Sequence, residues 1–161
     1  MLNKIRKVND FIAKILLSIG TLLFIILVLV VLLQIATRLF IPISISWTEE
    51  ISRFLFLHII AFVAPVVLKE RKLVFVDLLF TIFPKKIINI FKVISDLMIS
   101  ILSIIIFSQS YKYILLGVGQ IAPVTGLPMY IPYSMVFILF LFLSLYGITN
   151  FLDNLIKINK N

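Results

Sequence analysis

The chain has little of what most enzymes and metal sites use. Cysteine is absent and His58 is the single histidine, which excludes disulfides, thiolate chemistry and metal sites built from several Cys or His ligands. Only seven residues are acidic and 14% are charged, whereas charged residues make up about a quarter of a soluble domain. Spaced carboxylates and a nucleophile motif are also missing, so we expect neither enzyme activity nor a cofactor.

Long apolar runs dominate the rest of the sequence. The chain is 62% hydrophobic, with a mean hydropathy of +1.21. A helix needs about 20 residues to cross the hydrocarbon core of a bilayer. Four runs meet that need, at about 15–36, 47–68, 90–116 and 131–151. They leave no segment for a soluble catalytic domain, so we predict that 1–161 forms a single all-α integral membrane domain with four transmembrane helices.

The basic residues are distributed unevenly between the two sides of this predicted domain. Of the fifteen Lys and Arg residues, only Arg38, Arg53 and Lys112 lie on or near one side. Because Lys and Arg are enriched in cytoplasmic segments, both the N and C termini should be cytoplasmic, with loops near 37–46 and 117–130 facing outward. Topology therefore explains the net charge of +8, and we expect no nucleic-acid partner.

A short apolar segment, 73–83, separates the second and third spans. It is too short to cross the hydrocarbon core. Drawn as a helix it carries a narrow polar stripe that includes Asp77 and Thr81, which predicts an amphipathic helix in the cytoplasmic interface. A β-strand is the local alternative, although its unpaired edge would be unsatisfied in lipid. Asp77 either caps or pairs locally or contacts a partner.

The second span has a well-marked beginning. Ser46 and Glu49 have the spacing of a capping box, and Trp47 suits the membrane interface. Arg53 follows Glu49 by four residues and Glu50 by three, so it can pair with either carboxylate of its own helix. A second interpretation is a charged anchor for a partner membrane protein, because charges within spans usually face protein or a water-filled cavity. Direct binding of a substrate or an ion is a third.

The middle of the second span contains the histidine. His58 lies about 16 Å below Trp47, near mid-bilayer. We expect a neutral side chain hydrogen-bonded to a neighbouring helix, because a proton relay would need further ionisable groups at that depth and the other spans offer none. Pro65 removes one backbone hydrogen bond from the same helix and predicts a modest kink.

The third span carries polar residues on one face. Asp96, Ser100 and Ser103 recur at helical spacing, with Ser110 on the same face. Small residues let membrane helices approach closely and hydroxyls bond across them, so we predict a helix-packing face. The span interiors lack the interrupted helices and mid-bilayer charges with which transporters bind substrate. We therefore expect a scaffold with no substrate-binding or metal site of its own.

Several motifs together carry a family resemblance. The string WTEEISR at 47–53, the helix end KERK at 69–72 and VFVDLL at 74–79 resemble the small membrane subunit of tripartite ATP-independent periplasmic (TRAP) transporters. The loop PVTGLPMYIPY at 123–133 is similar to the segment before that family's last helix. The resemblance covers about residues 10–150. Lys72 and Leu73 stand where the family often has a glycine and a histidine.

The resemblance implies a sodium-driven secondary transporter, a symporter that imports organic-acid anions of the C4-dicarboxylate or sialic acid type across the bacterial inner membrane. Its implied partners are a large membrane subunit that binds the anion and sodium, an extracytoplasmic substrate-binding protein, and membrane lipids. Trp47, Glu50, Arg53 and Asp77 match the family pattern and, with Glu49, are candidates for structural or partner contacts.

Two other functions stay open. A self-sufficient homodimeric exporter would need a membrane-embedded carboxylate in its first span, and none is present. A membrane assembly factor without a transport role would share the predicted topology.

Overall fold

A computed structural model describes residues 2–40, 46–70 and 85–158 of the chain. Those residues form four α-helices, α1 (Leu2–Phe40), α2 (Ser46–Lys69), α3 (Lys85–Leu116) and α4 (Tyr130–Ile158). Each helix contains a segment long and apolar enough to cross a membrane, namely Lys7–Phe40, Ser46–Lys69, Ile90–Leu116 and Tyr130–Ile156. The predicted all-α fold with four transmembrane helices is confirmed.

Two parts of the sequence-based topology have no counterpart in these observations. The predicted interfacial helix at 73–83, which contains Asp77, lies outside the described residues. The cytoplasmic location of both termini stays a prediction.

The individual helices follow from local sequence. α1 runs without interruption for 39 residues, so the predicted interfacial lead-in at 2–14 continues directly into the first span. α2 begins at Ser46, where the capping box places its start. Pro65 lies inside α2, four residues before its end, and the helix continues through it.

The helices stand side by side in a row. α1 packs antiparallel to α2, α2 packs parallel to α4, and α4 packs antiparallel to α3. Among the described helices these are the three packed pairs, so the order across the row is α1–α2–α4–α3. We call the end with Leu2, Lys69, Lys85 and Ile158 the termini end, and the end with Phe40, Ser46, Leu116 and Tyr130 the loop end.

The apolar core of the row lies towards the termini end. Ala13 and Leu16 of α1, Val66 and Leu68 of α2, and Tyr146 of α4 are buried together there. Elsewhere α1 and α3 expose most of their large apolar side chains. A surface of this kind is stable only against lipid or another membrane protein.

α3 and α4 approach each other closely at one glycine. A Cβ atom added to Gly147 would lie 2.8 Å from the Ser100 hydroxyl oxygen and 3.4 Å from the Ser100 Cα. The missing side chain of Gly147 leaves room for the Ser100 hydroxyl, in the way small residues do in membrane helix pairs. Towards the loop end, Phe107 of α3 and Phe137 of α4 continue the contact with ring centroids 4.7 Å apart.

Candidate interface at the loop end

The first turn of α2 joins two other parts of the chain through adjacent carboxylates. The Glu49 carboxylate forms an ion pair with the Arg38 guanidinium of α1, and it accepts a 3.4 Å hydrogen bond from the Gln34 side-chain amide. Arg53 forms no close ion pair with either carboxylate, although its charge acts on the nearby Glu50. α1 ends beside the start of α2 and presents Arg38 to Glu49 instead.

Glu50 turns instead to the loop between α3 and α4. Its carboxylate oxygen accepts the backbone N–H of Thr125 at 2.7 Å, across 75 residues of sequence. A hydrogen bond to an ionised acceptor is about twice as strong as a neutral one. Glu50 thereby fixes the tip of this loop to α2.

The loop has its own internal order. The Ala122 N–H donates to the Leu127 carbonyl at 2.8 Å, and the Met129 N–H donates to the Gln120 carbonyl at 2.9 Å. Gly126, with a φ of 67°, turns the chain between these strand-like arms. This backbone conformation is one that glycine adopts readily and other residues rarely do. The Gly- and Pro-rich sequence therefore forms a short ordered turn.

The base of the loop is packed between the two helices it connects. An added Cβ at Gly117 would lie 2.7 Å from the Tyr130 backbone nitrogen, so this position requires a residue without a side chain. The Tyr113 and Tyr133 rings stack with centroids 4.4 Å apart, joining the last turns of α3 to the first turns of α4. The loop is thus held at its base and at its tip.

The Arg53 side chain is exposed, whereas Glu49 and Glu50 are half-buried. It forms no hydrogen bond or ion pair with any residue in the described ranges 2–40, 46–70 and 85–158. Phe56, Leu57 and Ile60, the next residues on the same helical face, are also exposed. We call Arg53, Phe56, Leu57 and Ile60 the α2 stripe. Trp47 is 42% exposed at the start of the same helix.

His58 bonds to its own helix, not to a neighbouring one as we expected. Its Nδ1 lies 2.6 Å from the Phe54 carbonyl oxygen. A carbonyl oxygen can only accept, so Nδ1 carries the proton in this contact. The sequence argument overlooked that a histidine within a helix can reach the carbonyl four residues earlier.

The polar face of α3 lies where α3 meets α4. Ser100 and Ser103 are 5% and 3% exposed, and α4 is the one described helix that α3 packs against. The Asp96 carboxylate accepts a 2.6 Å hydrogen bond from the Asn154 side-chain amide of α4. The Ser100 hydroxyl donates to the Asp96 carbonyl within α3, at 2.6 Å.

Comparison with known protein families identifies the family of this chain. The family of tripartite ATP-independent periplasmic transporters, DctQ component, matches residues 27–156, which is most of the chain. The chain belongs to this DctQ family. The matched range includes α2 with its stripe, the ordered loop and almost all of α4. The resemblance stated from the sequence is therefore confirmed.

A curated relative of this DctQ-family chain is the isethionate TRAP transporter permease protein DctMQ of Oleidesulfovibrio alaskensis. The two are 36% identical over 89 residues, which is 54% of this chain and 14% of the relative. The chain thus spans about a seventh of the length of the relative it matches. No solved structure matches the chain.

The DctQ-family chain also has polar contacts at its termini end that sequence reasoning missed. The Lys69 ammonium of α2 pairs with the Asp10 carboxylate of α1 at 2.6 Å. The Asn150 side-chain amide donates to the Leu68 carbonyl at 2.9 Å, in a buried position. These contacts bind α2 to α1 and to α4. Asn150 and Asn154, four residues apart and so on one face of α4, were a signal for such contacts.

The described residues at the two ends of the row do not gather the ligands of a metal site. Within the residues that the structure describes, no three His, Asp or Glu side chains come close enough together to hold an ion. The acidic residues of the loop end are instead engaged in joining helices and loop.

Proposed function

We propose that this DctQ-family chain is the small scaffold subunit of a sodium-driven TRAP-type secondary transporter in the bacterial inner membrane. The transporter imports organic-acid anions delivered by an extracytoplasmic substrate-binding protein. The large membrane subunit carries the anion and the sodium ions, and the small subunit packs beside it. The observation that carries this proposal is the family match over residues 27–156.

The relative supports a larger membrane partner. The aligned segment makes up 14% of the DctMQ permease, so most of that permease lies outside the part that resembles this chain. We infer that the present chain meets the corresponding larger component as a separate polypeptide. Its substrate belongs to the organic-acid anions, of the C4-dicarboxylate or sialic acid type, and is selected by that component.

The α2 stripe is the surface that we assign to the large subunit. Arg53 lies seven residues into α2, about 10 Å along the helix axis. A charge at such depth is unfavourable in lipid unless it reaches the interface or meets a counter-charge. Glu49 and Glu50 make their close contacts with Arg38 and Thr125, and the Glu50 charge compensates Arg53 only in part, without a close ion pair. A carboxylate of the large subunit would compensate Arg53, and Phe56, Leu57 and Ile60 would pack around it.

The remaining candidate residues take supporting roles in this proposal. Glu49 and Glu50 fix α1 and the ordered loop around α2, so they shape the interface without forming its centre. Trp47 anchors the start of α2 in the interface between lipid and water. Asp77 contacts the partner or pairs within its own segment. Asp96, Ser100 and Ser103 hold α3 to α4.

Co-purification with the large subunit tests this assignment. Arg53→Ala is expected to lower the recovered complex several-fold, while Arg53→Lys retains most of it because a cation remains. Leu57→Trp, on the stripe, should also weaken the complex through a steric clash. Leu29→Trp is the matched control, since Leu29 is 60% exposed on α1, away from the stripe.

Two outcomes would count against the proposal. Equal recovery of the complex from the Leu57→Trp and Leu29→Trp variants would place the interface elsewhere on the chain. A stable homodimer that alone moves an anion in vesicles would favour an exporter and overturn the scaffold role. Sodium-dependent uptake in vesicles that contain both subunits and the binding protein completes the test.

A further inference from the structure

A groove lies on α3 near the loop end. It has a volume of about 410 Å³ and opens widely to the outside of the protein. Its apolar wall is formed by Ile106, Tyr113 and Leu116 of α3 and by Val136 of α4. Tyr113 is held in place by its stacking on Tyr133. The groove is therefore an open, mostly apolar recess between α3 and α4.

Three polar side chains also line the groove, and two of them have donors to offer. The Ser110 hydroxyl already donates to the Phe107 carbonyl at 2.6 Å. Gln109 and Lys112 are exposed, three residues apart on the same helical face. Neither side chain has a hydrogen-bond or ion-pair partner within the described part of the chain. Their amide and ammonium groups form a place for an anion with acceptor oxygens.

The charge around the groove favours the same kind of ligand. The one acidic residue of α3 is Asp96, sixteen residues before Lys112 and about 24 Å away along the helix. α3 stands at the edge of the row and packs against α4 alone among the described helices. Leu102 and Ile105, one to two turns before Gln109, are exposed apolar residues. The groove therefore opens onto an exposed apolar surface of α3.

We propose that this groove binds a phospholipid. Its phosphate accepts hydrogen bonds from Lys112 and Gln109, and one acyl chain lies along Ile106 and Val136. Basic pockets between membrane helices bind lipid headgroups in this way, and one lysine near the membrane surface raises affinity for an anionic lipid about fivefold. The site does not depend on the transport role proposed above.

Native mass spectrometry of the full chain in detergent tests the proposal. The probes are phosphatidylglycerol and a diacylglycerol with the same acyl chains but no phosphate. The native chain should retain phosphatidylglycerol in clear preference to diacylglycerol. Lys112→Ala should lower its retention about fivefold, and Lys112→Arg should keep it. Lys14→Ala is the matched control, because Lys14 is an exposed lysine of α1 that lies towards the termini end, away from the groove.

Three results would overturn the phospholipid site. They are equal retention of the two lipids, unchanged retention of phosphatidylglycerol by Lys112→Ala, and equal losses for Lys112→Ala and Lys14→Ala. Circular dichroism of each variant separates loss of binding from loss of folding. A photo-crosslinking residue at Leu116 gives an independent reading in the assembled transporter. Crosslinks to lipid support the proposal, whereas crosslinks to the large subunit show that a protein occupies the groove.

Discussion

Replacing Gly147 with alanine is expected to destabilise the contact between α3 and α4. The new Cβ would lie 2.8 Å from the Ser100 hydroxyl oxygen, well inside an ordinary carbon–oxygen contact. Extra methyl groups in a tight interface destabilise by about 1–3 kcal/mol. Alanine favours a helix over glycine by up to about 1 kcal/mol, which offsets part of this loss. We therefore expect a net destabilisation of up to about 2 kcal/mol.

Removing the Ser100 hydroxyl should reverse the sign of this effect. In a Ser100→Ala background the new Cβ would lie 3.4 Å from Cα and 3.5 Å from N of residue 100, which are normal contacts. Gly147→Ala should then be neutral or slightly stabilising. The expected coupling between the two changes falls within the roughly 0.5–3 kcal/mol found for residues in contact.

The assay is unfolding in mixed micelles with increasing dodecyl sulfate, followed by far-ultraviolet circular dichroism. Ser108→Ala is the matched control, because the exposed Ser108 hydroxyl makes the same kind of intrahelical bond, to Ile105 at 2.7 Å. Ser108→Ala should not rescue Gly147→Ala. Additive effects of Ser100→Ala and Gly147→Ala would refute the argument that this hydroxyl and this glycine set the helix separation.

Three further predictions concern the contacts that join the row. Glu50→Ala should speed hydrogen exchange at the Thr125 amide, while Glu50→Gln, which keeps an oxygen acceptor, should have a smaller effect. Asn150→Ala should lower stability by about 0.6 kcal/mol, the average for membrane interhelical hydrogen bonds, and by no more than about 1.7 kcal/mol, because the buried Leu68 carbonyl loses its partner. Asp10→Asn should lower the stability of the protein by about 1 kcal/mol or less, because the Asp10 side chain is 63% exposed in its ion pair. The loss of stability should be smaller still in high salt. Dodecyl sulfate unfolding measures the last two.

The four helices could be predicted because the solvent imposes them. A run of about 20 apolar residues has few stable forms in a bilayer other than a helix. The order of the helices in the row could not be predicted, because residues that face lipid and residues that face protein are equally apolar. Leu29 and Leu57 look alike in sequence, although they lie on different helices with different neighbours.

The candidate site could likewise be predicted only in part from the sequence. The start of α2 at Ser46 was accessible from local spacing, whereas the partners of the two carboxylates were not. Glu49 pairs with Arg38 because the last turn of α1 lies beside the first turn of α2. Glu50 accepts a hydrogen bond from a backbone amide, a contact that has no signature in the sequence. Gln34 and Arg38, four residues apart at the end of α1, were the available hint for the first contact.

The length of α1 constrains how deeply the protein sits. Lys7 and Arg38 lie thirty-one residues apart in one unbroken helix, about 46 Å at 1.5 Å per residue. A bilayer with its headgroup layers is about 40–45 Å thick, so a tilt of about 20°, the average for such helices, lets both cations reach phosphate at once. A thinner membrane would force a steeper inclination on α1. Asp10 and Arg38 pair with Lys69 and Glu49 of α2, so we expect α2 to follow a change in the inclination of α1.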